Sequence, residues 1–498
     1  MRDGLISCTQ RLLLIACCLL ISTGCSTLKS AAPWHRIILA EEFSTADLTA
    51  NYQWKDYLAQ EDRLFAQLQK VVAENPCTDA YRYQQNSPLN SFNYLDNNRA
   101  FTNATAANQP KVINNWNRSF VLRPKQLRGG IVMLHGLSDS PYTVRSLALH
   151  FQQQGFYVIA ARLPGHGTLP SGLLNVQWED WAAVTELAMR ELQTQLAGNQ
   201  NIYFVTYSTG ATLAVDYALS AQLDKKLPQP KKLVLLSPMF GVSKFAILSK
   251  SVDLIGHIPL LGSERWLTKQ PEYNPFKYNS FTVNAGWQAR SLTKHLEEKM
   301  TMVEKKVGLQ NFPPVLGFQS LMDATVSTAA VEAFFAQKFQ PHKNELVIFD
   351  INRHQNYLPI TRPASTELFA KLFADGTPKD YDLVRIGNTD AHTHQVSEWR
   401  RSAGSTEEKE TSLSLEFPRG VFSLSHIALP FPINDPTYGL EPDENEFYGI
   451  RLGNLSFRGE RNTLALAADT NQRLNANPFY SYMERRIDEW LEIPLSTQ

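Results

Sequence analysis

The chain has 498 residues, with 48 Lys+Arg against 48 Asp+Glu, so its formal net charge is zero. That balance lacks the basic excess of a nucleic-acid binder. With 43% hydrophobic and 19% charged residues, the chain is no disordered polyelectrolyte and has the means to bury a core. Length alone suggests roughly three domains.

The first segment reads as an address. Residues Arg2 to Arg11 supply basic charge, and the apolar run Leu12–Ile21 that follows is too short to cross a bilayer as a mature helix. It ends in Ser22-Thr23-Gly24-Cys25. This pattern resembles the bacterial lipoprotein signal, in which a Cys preceded by small residues is lipidated and becomes the new N-terminus. Ser22 stands where Leu is commoner, and an ordinary secretory signal is the alternative. The resemblance implies a signal peptide over residues 1–24 and lipid attachment at Cys25. With Ser26 after the Cys in place of Asp, it implies an envelope protein lipid-anchored in the outer membrane and facing the periplasm. Of the five cysteines, Cys8, Cys17 and Cys18 leave with the signal and Cys77 remains as a lone thiol, so no internal disulfide is available.

Residues 25–120 read as a tether and appendage: helix formers run from Asp47 to Glu74, and the Asn/Gln/Thr-rich stretch Gln84–Asn115 reads as irregular. From residue 121 onward a single large domain is predicted. The apolar runs Gly130–Leu134, Phe156–Ala161, Asn201–Val205 and Lys232–Leu236 read as buried strands, with helical spacing over Pro141–Gln154, Trp178–Ala197 and Thr209–Leu223 between them. Strands alternating with helices at this pitch predict a mostly parallel sheet flanked by helices. Residues about 238–310 interrupt the alternation and read as a lid insertion. Strand Val315–Phe318, helix Thr325–Phe339 and strand Glu345–Phe349 resume it. A further helix and strand, Ala364–Phe373 and Tyr381–Ile386, follow, then a polar loop Asn388–Glu416, a last strand Val421–Ser425 and a helix Pro478–Leu491.

The segment Val205-Thr-Tyr-Ser208-Thr-Gly210 carries the chemistry. A strand running into a tight turn with Ser at its tip, then a helix, is a nucleophile elbow. Residues two before and two after the Ser must be small because strand and helix approach closely; Gly210 satisfies this, and Thr206 replaces the usual Gly. A Ser that merely occupies a strand-to-helix turn is the bland alternative. Together with His135-Gly136, Arg162-Leu-Pro-Gly-His-Gly167, Trp178-Glu-Asp-Trp181 and Leu235-Leu-Ser-Pro238, in this order, the elbow resembles the α/β-hydrolase superfamily. The likeness falls on the side of lysophospholipases, monoacylglycerol lipases and carboxylesterases. It implies an α/β-hydrolase fold with a lid, an oxyanion hole from the Leu137 and Thr209 backbone N–H groups, and a chain order of Ser, acid, His.

Asp323 follows the strand after the insertion and is the expected acid, ahead of Asp350 and Glu332; capping of the next helix is its alternative role. Two histidines compete as base. His354 follows strand Glu345–Phe349. His426, in Ser423-Leu-Ser-His-Ile-Ala-Leu-Pro-Phe431, follows a later strand, has small Ser425 before it, and lies in a stretch resembling a bacterial subgroup of these hydrolases. His426 is preferred; the strand-helix-strand within about 345–420 then becomes an insertion ahead of the catalytic loop. The expected reaction is acyl transfer to water at lipid-like or small carboxylic esters, with no metal and no cofactor. Asp390-Ala-His392-Thr-His394 lacks a third ligand at metal spacing. A non-catalytic envelope scaffold on the same fold, or an acyltransferase or peptidase using the same triad, are the alternatives. A membrane reached through the lipid and a small-molecule or lipid ester substrate are the expected partners, with no nucleic acid.

Overall fold

The computed structural model describes residues 32–74, 100–104, 110–196, 201–241, 265–270, 272–337, 339–374, 376–448, 450–453, 458–461, 463–465 and 473–494. The signal segment, Cys25 and Cys77 lie outside the described residues, as does 242–264 of the expected lid. The chain divides into two compact units, Met1–Ile38 and Leu39–Gln498. The described part of the first holds one short 3-10 turn, Pro33–His35. Among the described residues no helix is long and apolar enough to cross a membrane. All that follows concerns the second unit.

Ten strands form its main sheet: β1 Phe120–Leu122, β2 Gly129–Leu134, β3 Phe156–Ala161, β4 Asn201–Tyr207, β5 Lys232–Leu236, β6 Val315–Ser320, β7 Glu345–Phe349, β8 Asp382–Asn388, β9 Gln395–Arg401 and β10 Glu408–Glu416. Their spatial order is β10-β9-β8-β7-β6-β5-β4-β2-β3-β1. Strands β2 to β8 pair in parallel; β1, β9 and β10 pair antiparallel, with β1 and β10 at the two edges. The central strands are near-continuous apolar runs because helices cover both faces. On one face lie α1 Trp54–Glu74, α3 Trp178–Gln195, α4 Thr209–Leu223 and α5 Val283–Val307. On the other lie α2 Arg145–Gln153 and α8 Tyr480–Trp490. Two further helices, α6 Thr328–Phe335 and α7 Pro363–Phe369, lie in the β6–β7 and β7–β8 connections. The chain steps from β2 outward to β3, then returns to the other side of β2 as β4. Reversal of strand order opens a crevice at the carboxyl ends of β2 and β4, where open α/β sheets place their ligand sites.

Helix α4 has no polar stripe and is buried nearly all round, against the sheet on one side and α3 and α5 on the other. The second half of the expected lid is therefore fixed structure: α5 is capped by Thr282, whose Oγ1 accepts from Ala285 N–H at 3.0 Å, and ends at Gly308 with φ +74°. The appendage is tied in as well. From α1, Glu61 accepts from Ser119 Oγ at 2.9 Å and from Arg162 Nε at 3.0 Å, while Arg162 Nη2 reaches Glu42 at 2.9 Å.

Three expectations need correction. Residues 388–416 are not a free polar loop: β9 and β10 form a hairpin extending the sheet. Its outer strand is largely exposed and carries Glu408, Lys409, Glu410 and Glu416, which hid it from an apolar-run search. Val421–Ser425 is not a ladder strand, since Val421 makes only an isolated bridge to Arg458. Within Gln84–Asn115, Ala100–Ala104 and Pro110–Asn114 pair antiparallel instead of running irregularly.

Candidate active site

At the carboxyl end of β4 the chain turns sharply through Ser208, whose φ of +54° and ψ of −115° are a strained conformation for a non-glycine residue. Ser208 N–H donates to Leu236 O on the neighbouring β5 at 2.9 Å, which holds the strand end in place through the turn. A Cβ on Gly210 would lie 2.6 Å from both Cβ and O of Leu134, so no side chain fits there. Thr206 is tolerated because it lies buried along β5, its Oγ1 3.4 Å from Val234 O.

The loop after β2 lies beside the elbow. A Cβ on Gly136 would meet Asp139 Oδ2 at 2.7 Å and Ser208 Cβ at 3.0 Å, so the missing side chain keeps the serine uncovered. His135 is a structural bracket: its Nδ1 donates to Gly136 O at 2.8 Å and its Nε2 accepts from Leu163 N–H at 3.0 Å. Burial, reinforced by nearby His166, holds its pKa well below the usual histidine range. Burial likewise pushes His166 down to about 3, so this ring is neutral near pH 7 and packs. Leu137 N–H, one residue past Gly136, and Thr209 N–H, the first of α4, have no protein acceptor among the described residues. Thr209 N–H lies at the N-terminus of α4, where orphan donors favour negative charge, and Leu137 follows Gly136, which lies against Ser208.

Asp323 sits just past β6, its side chain fully buried. Its Oδ1 accepts from Thr325 N–H at 2.8 Å and Val326 N–H at 2.9 Å; its Oδ2 accepts from Gln319 Nε2 at 3.1 Å and from His426 Nδ1 at 2.8 Å. Burial opposes ionisation, but His426 and these donors outweigh it and hold the carboxyl below the usual aspartate value. Across 103 residues of sequence, the acid and His426 thus meet. Tyr207, next to Ser208, donates its hydroxyl to His426 O at 3.3 Å, with ring centroids 5.2 Å apart. The imidazole therefore lies beside the elbow. No hydrogen bond joins Ser208 Oγ to the ring in this conformation; such contacts commonly tighten only with substrate bound.

His354 is placed elsewhere. Its ring stacks on His394 at 4.3 Å, and its Nδ1 accepts from Asn356 N–H at 3.2 Å. His392 turns to Gln355 at 3.1 Å, so the two histidines of the Asp390–His394 stretch diverge. The competing carboxylates are engaged structurally: Asp350 pairs with Arg353 at 2.7 Å and Glu332 with Lys379 at 3.1 Å.

What brings His426 home was not visible in the sequence. In the loop after β7, Asn352 N–H donates to Phe422 O and Asn352 Nδ2 to Val421 O, both at 2.8 Å. Ser320 Oγ, at the end of β6, donates to Leu424 O at 2.7 Å, and Ser425 Oγ donates to Leu474 O. Scattered Asn and Ser residues carry no motif, so no local signal marked them. The aromatic segment 273–278 packs on the loop after β2, Tyr278 N–H donating to Ser138 O at 2.9 Å. Phe276 stacks on Tyr142 at 3.6 Å, Tyr438 donates to Asn274 at 2.9 Å, and Lys277 Nζ pairs with Asp139 Oδ1 at 2.7 Å.

Residues 125–357 match the hydrolase family described as serine aminopeptidase, S33. A stretch of 86 residues is 30% identical to the thermostable monoacylglycerol lipase of Bacillus sp. (strain H-257), covering 17% of this chain and 33% of that enzyme; the chain thus spans about a third of this curated relative's length. Among solved structures, one from work on the metagenome-derived lipolytic enzymes LipS and LipT is 20% identical, covering 47% of this chain and 88% of that one with a TM-score of 0.38. The monoacylglycerol lipase of Paleococcus ferrophilus is 16% identical, covering 46% and 87%, with a TM-score of 0.35. The sheet order and the turn at Ser208 are those of an α/β-hydrolase fold, and residues 125–357 are similar to that hydrolase family.

Proposed function

We propose that the chain is a serine hydrolase of carboxylic esters, acting on lipid-like or small acyl substrates. The Asp323–His426 contact at 2.8 Å, at the sheet end that carries the Ser208 elbow, is the observation that carries this reading. In it, Ser208 Oγ attacks the ester carbonyl while His426 Nε2 takes its proton. Asp323 holds Nδ1–H, which leaves Nε2 as the unprotonated acceptor. The Leu137 and Thr209 N–H groups stabilise the oxyanion of the tetrahedral intermediate. His426 then returns the proton to the leaving alcohol, and water repeats the sequence on the acyl-enzyme. The relative's name as a monoacylglycerol lipase agrees with ester substrates.

A fluorophosphonate probe tests this: wild type labels and Ser208→Ala does not, with parallel loss of hydrolysis of short-chain nitrophenyl esters. Equal labelling of both proteins refutes Ser208 as nucleophile, and wild type inert to probe and esters refutes the enzyme. The description of the matching family as a serine aminopeptidase favours a second reading, cleavage of peptide amides by the same triad; aminoacyl nitroanilides compared with esters decide between them. Envelope anchoring through Cys25 is proposed on the Ser22–Cys25 pattern alone. Labelled palmitate should enter the wild type and not Cys25→Ala.

A further inference from the structure

We infer that Glu460 and Arg473 are positioning residues that lock the base and the acid of the proposed triad into one unit. The inference rests on the ester-hydrolase reading above. His426 opens a short 3-10 turn, His426–Ala428, so its backbone N–H has no partner within the turn. Glu460 supplies one: its Oε2 accepts from His426 N–H at 2.8 Å, and its side chain is fully buried. A carboxylate taken out of water needs compensation. Arg473 Nη2 provides it, at 2.8 Å from Oε2 and 3.0 Å from Oε1, and Arg461 N–H adds a bond to Oε1 at 2.8 Å.

The same Arg473 Nη2 lies 3.2 Å from Thr325 Oγ1. Thr325 is the residue whose N–H holds Asp323 Oδ1 at 2.8 Å. One ion pair therefore touches the backbone of the base and the loop of the acid, while the side chains of base and acid meet at 2.8 Å. Glu460 is itself anchored, its N–H donating to Ser423 Oγ at 2.7 Å, three residues before His426. The arrangement closes a ring: His426 backbone, Glu460, Arg473, Thr325, Asp323, His426 imidazole. A histidine delivered by a long irregular segment, with no ladder to fix it, needs such a brace. Neither residue touches the reacting atoms, so both act through His426 and Asp323.

The test compares wild type, Glu460→Gln and Glu460→Ala by ester kinetics, thermal unfolding and the NMR resonance of the His426 Nδ1 proton. Gln keeps a carbonyl acceptor for His426 N–H, at the cost of an NH2 beside Arg461 N–H, and removes no side-chain volume, so this variant disturbs the fold less than Ala. Expected for Ala is a loss on the order of a hundredfold in kcat with KM little changed, as for a catalytic group displaced by about 1 Å, together with broadening or loss of the Nδ1 proton signal. Gln should recover most of kcat and the signal. A kcat and a proton signal unchanged in both variants, or a fall in melting temperature alone, overturn the inference. If the wild type hydrolyses no ester, the hydrolase reading falls by itself. The proton signal then decides separately: perturbed in Ala and retained in Gln supports the brace, unchanged in Ala refutes it.

Discussion

Asp323→Asn offers the sharpest test of how the site is wired, because the structure dictates which way the new amide must face. Oδ1 receives two backbone N–H groups, from Thr325 at 2.8 Å and Val326 at 2.9 Å. Turning the amide nitrogen toward them would set donors against donors and leave buried groups unpaired, at about 1–3 kcal/mol each. The oxygen therefore stays, and the NH2 takes the place of Oδ2, facing His426 Nδ1 and the Gln319 amide, which can turn its unpaired Oε1 to accept. The imidazole must then accept at Nδ1, which puts its proton on Nε2 and leaves no base for Ser208. The expected loss is on the order of 10⁴ in kcat, the effect of a wrong tautomer in a triad, about 5 kcal/mol of barrier. KM stays nearly constant, since Asp323 is buried away from substrate. The assay pairs kcat on a short nitrophenyl ester with nitrogen-15 spectra of the imidazole, which report the tautomer directly. A loss of less than about tenfold, or a ring still protonated at Nδ1, would refute the reasoning. Acid dependence gives a further check. Asp323 titrates below the usual aspartate value of 3.8, so the stability its ionisation contributes is present above that value and is lost as pH falls through the lower folded-state value.

Three other perturbations follow from the same geometry. His354→Ala should retain kcat within about threefold while His426→Ala loses on the order of 10³ or more; ester kinetics on the pair decide between the two bases. Burial pushes Asp435 up to about 6 despite the N–H groups of Tyr438 and Thr437. A raised folded-state value means that its contribution to stability is present below 3.8 and is lost as pH rises through about 6, on the order of 3 kcal/mol in all. Asp435→Asn keeps the acceptor for Tyr142, Thr437 and Tyr438, so its unfolding free energy should vary less than wild type's between about pH 4 and about pH 6.5; parallel curves contradict this. Lys277→Met leaves the Asp139 carboxylate uncompensated beside Gly136 and Ser208. At an effective dielectric of about 20, repulsion of the oxyanion at short range costs a few kcal/mol, on the order of a hundredfold in kcat. Adding Asp139→Asn should restore much of it, a coupling that double-mutant kinetics measure.

The central strands were legible because each is a short apolar run buried on both faces, and Gly210 marked the elbow because only a residue without Cβ fits against Leu134. Residues at the sheet's margin were not. Strand β10 is an exposed, charged edge and its neighbour β9 carries Glu398, Arg400 and Arg401, so their sequence looks like a loop until the hairpin is known. Val421–Ser425 erred in the other direction: its apolar alternation reads as a strand, yet its backbone bonds go to Asn352, Arg458 and the Ser320 side chain instead of to a ladder. Periodicity reports burial of alternate side chains. It does not report what the backbone is bonded to.

The same distinction explains the placing of His426. After β7, where His354 stands, the loop spends its polar groups on Asn352, which receives the returning segment at Val421 and Phe422. Strands β8, β9 and β10 lie between β7 and that segment in the chain, so the segment must be held by side chains and not by sequence proximity. That is the role left for Asn352, Ser320, Ser425 and Glu460, and it makes the geometry of His426 depend on residues as far along as Arg473. The family match ends at residue 357. A protein cut at that boundary would keep Ser208, Asp323, Leu137 and Thr209 but lose the imidazole that Asp323 contacts. Its serine should then be inert to a fluorophosphonate even where the remaining sheet folds, whereas a chain that uses His354 would keep its reactivity.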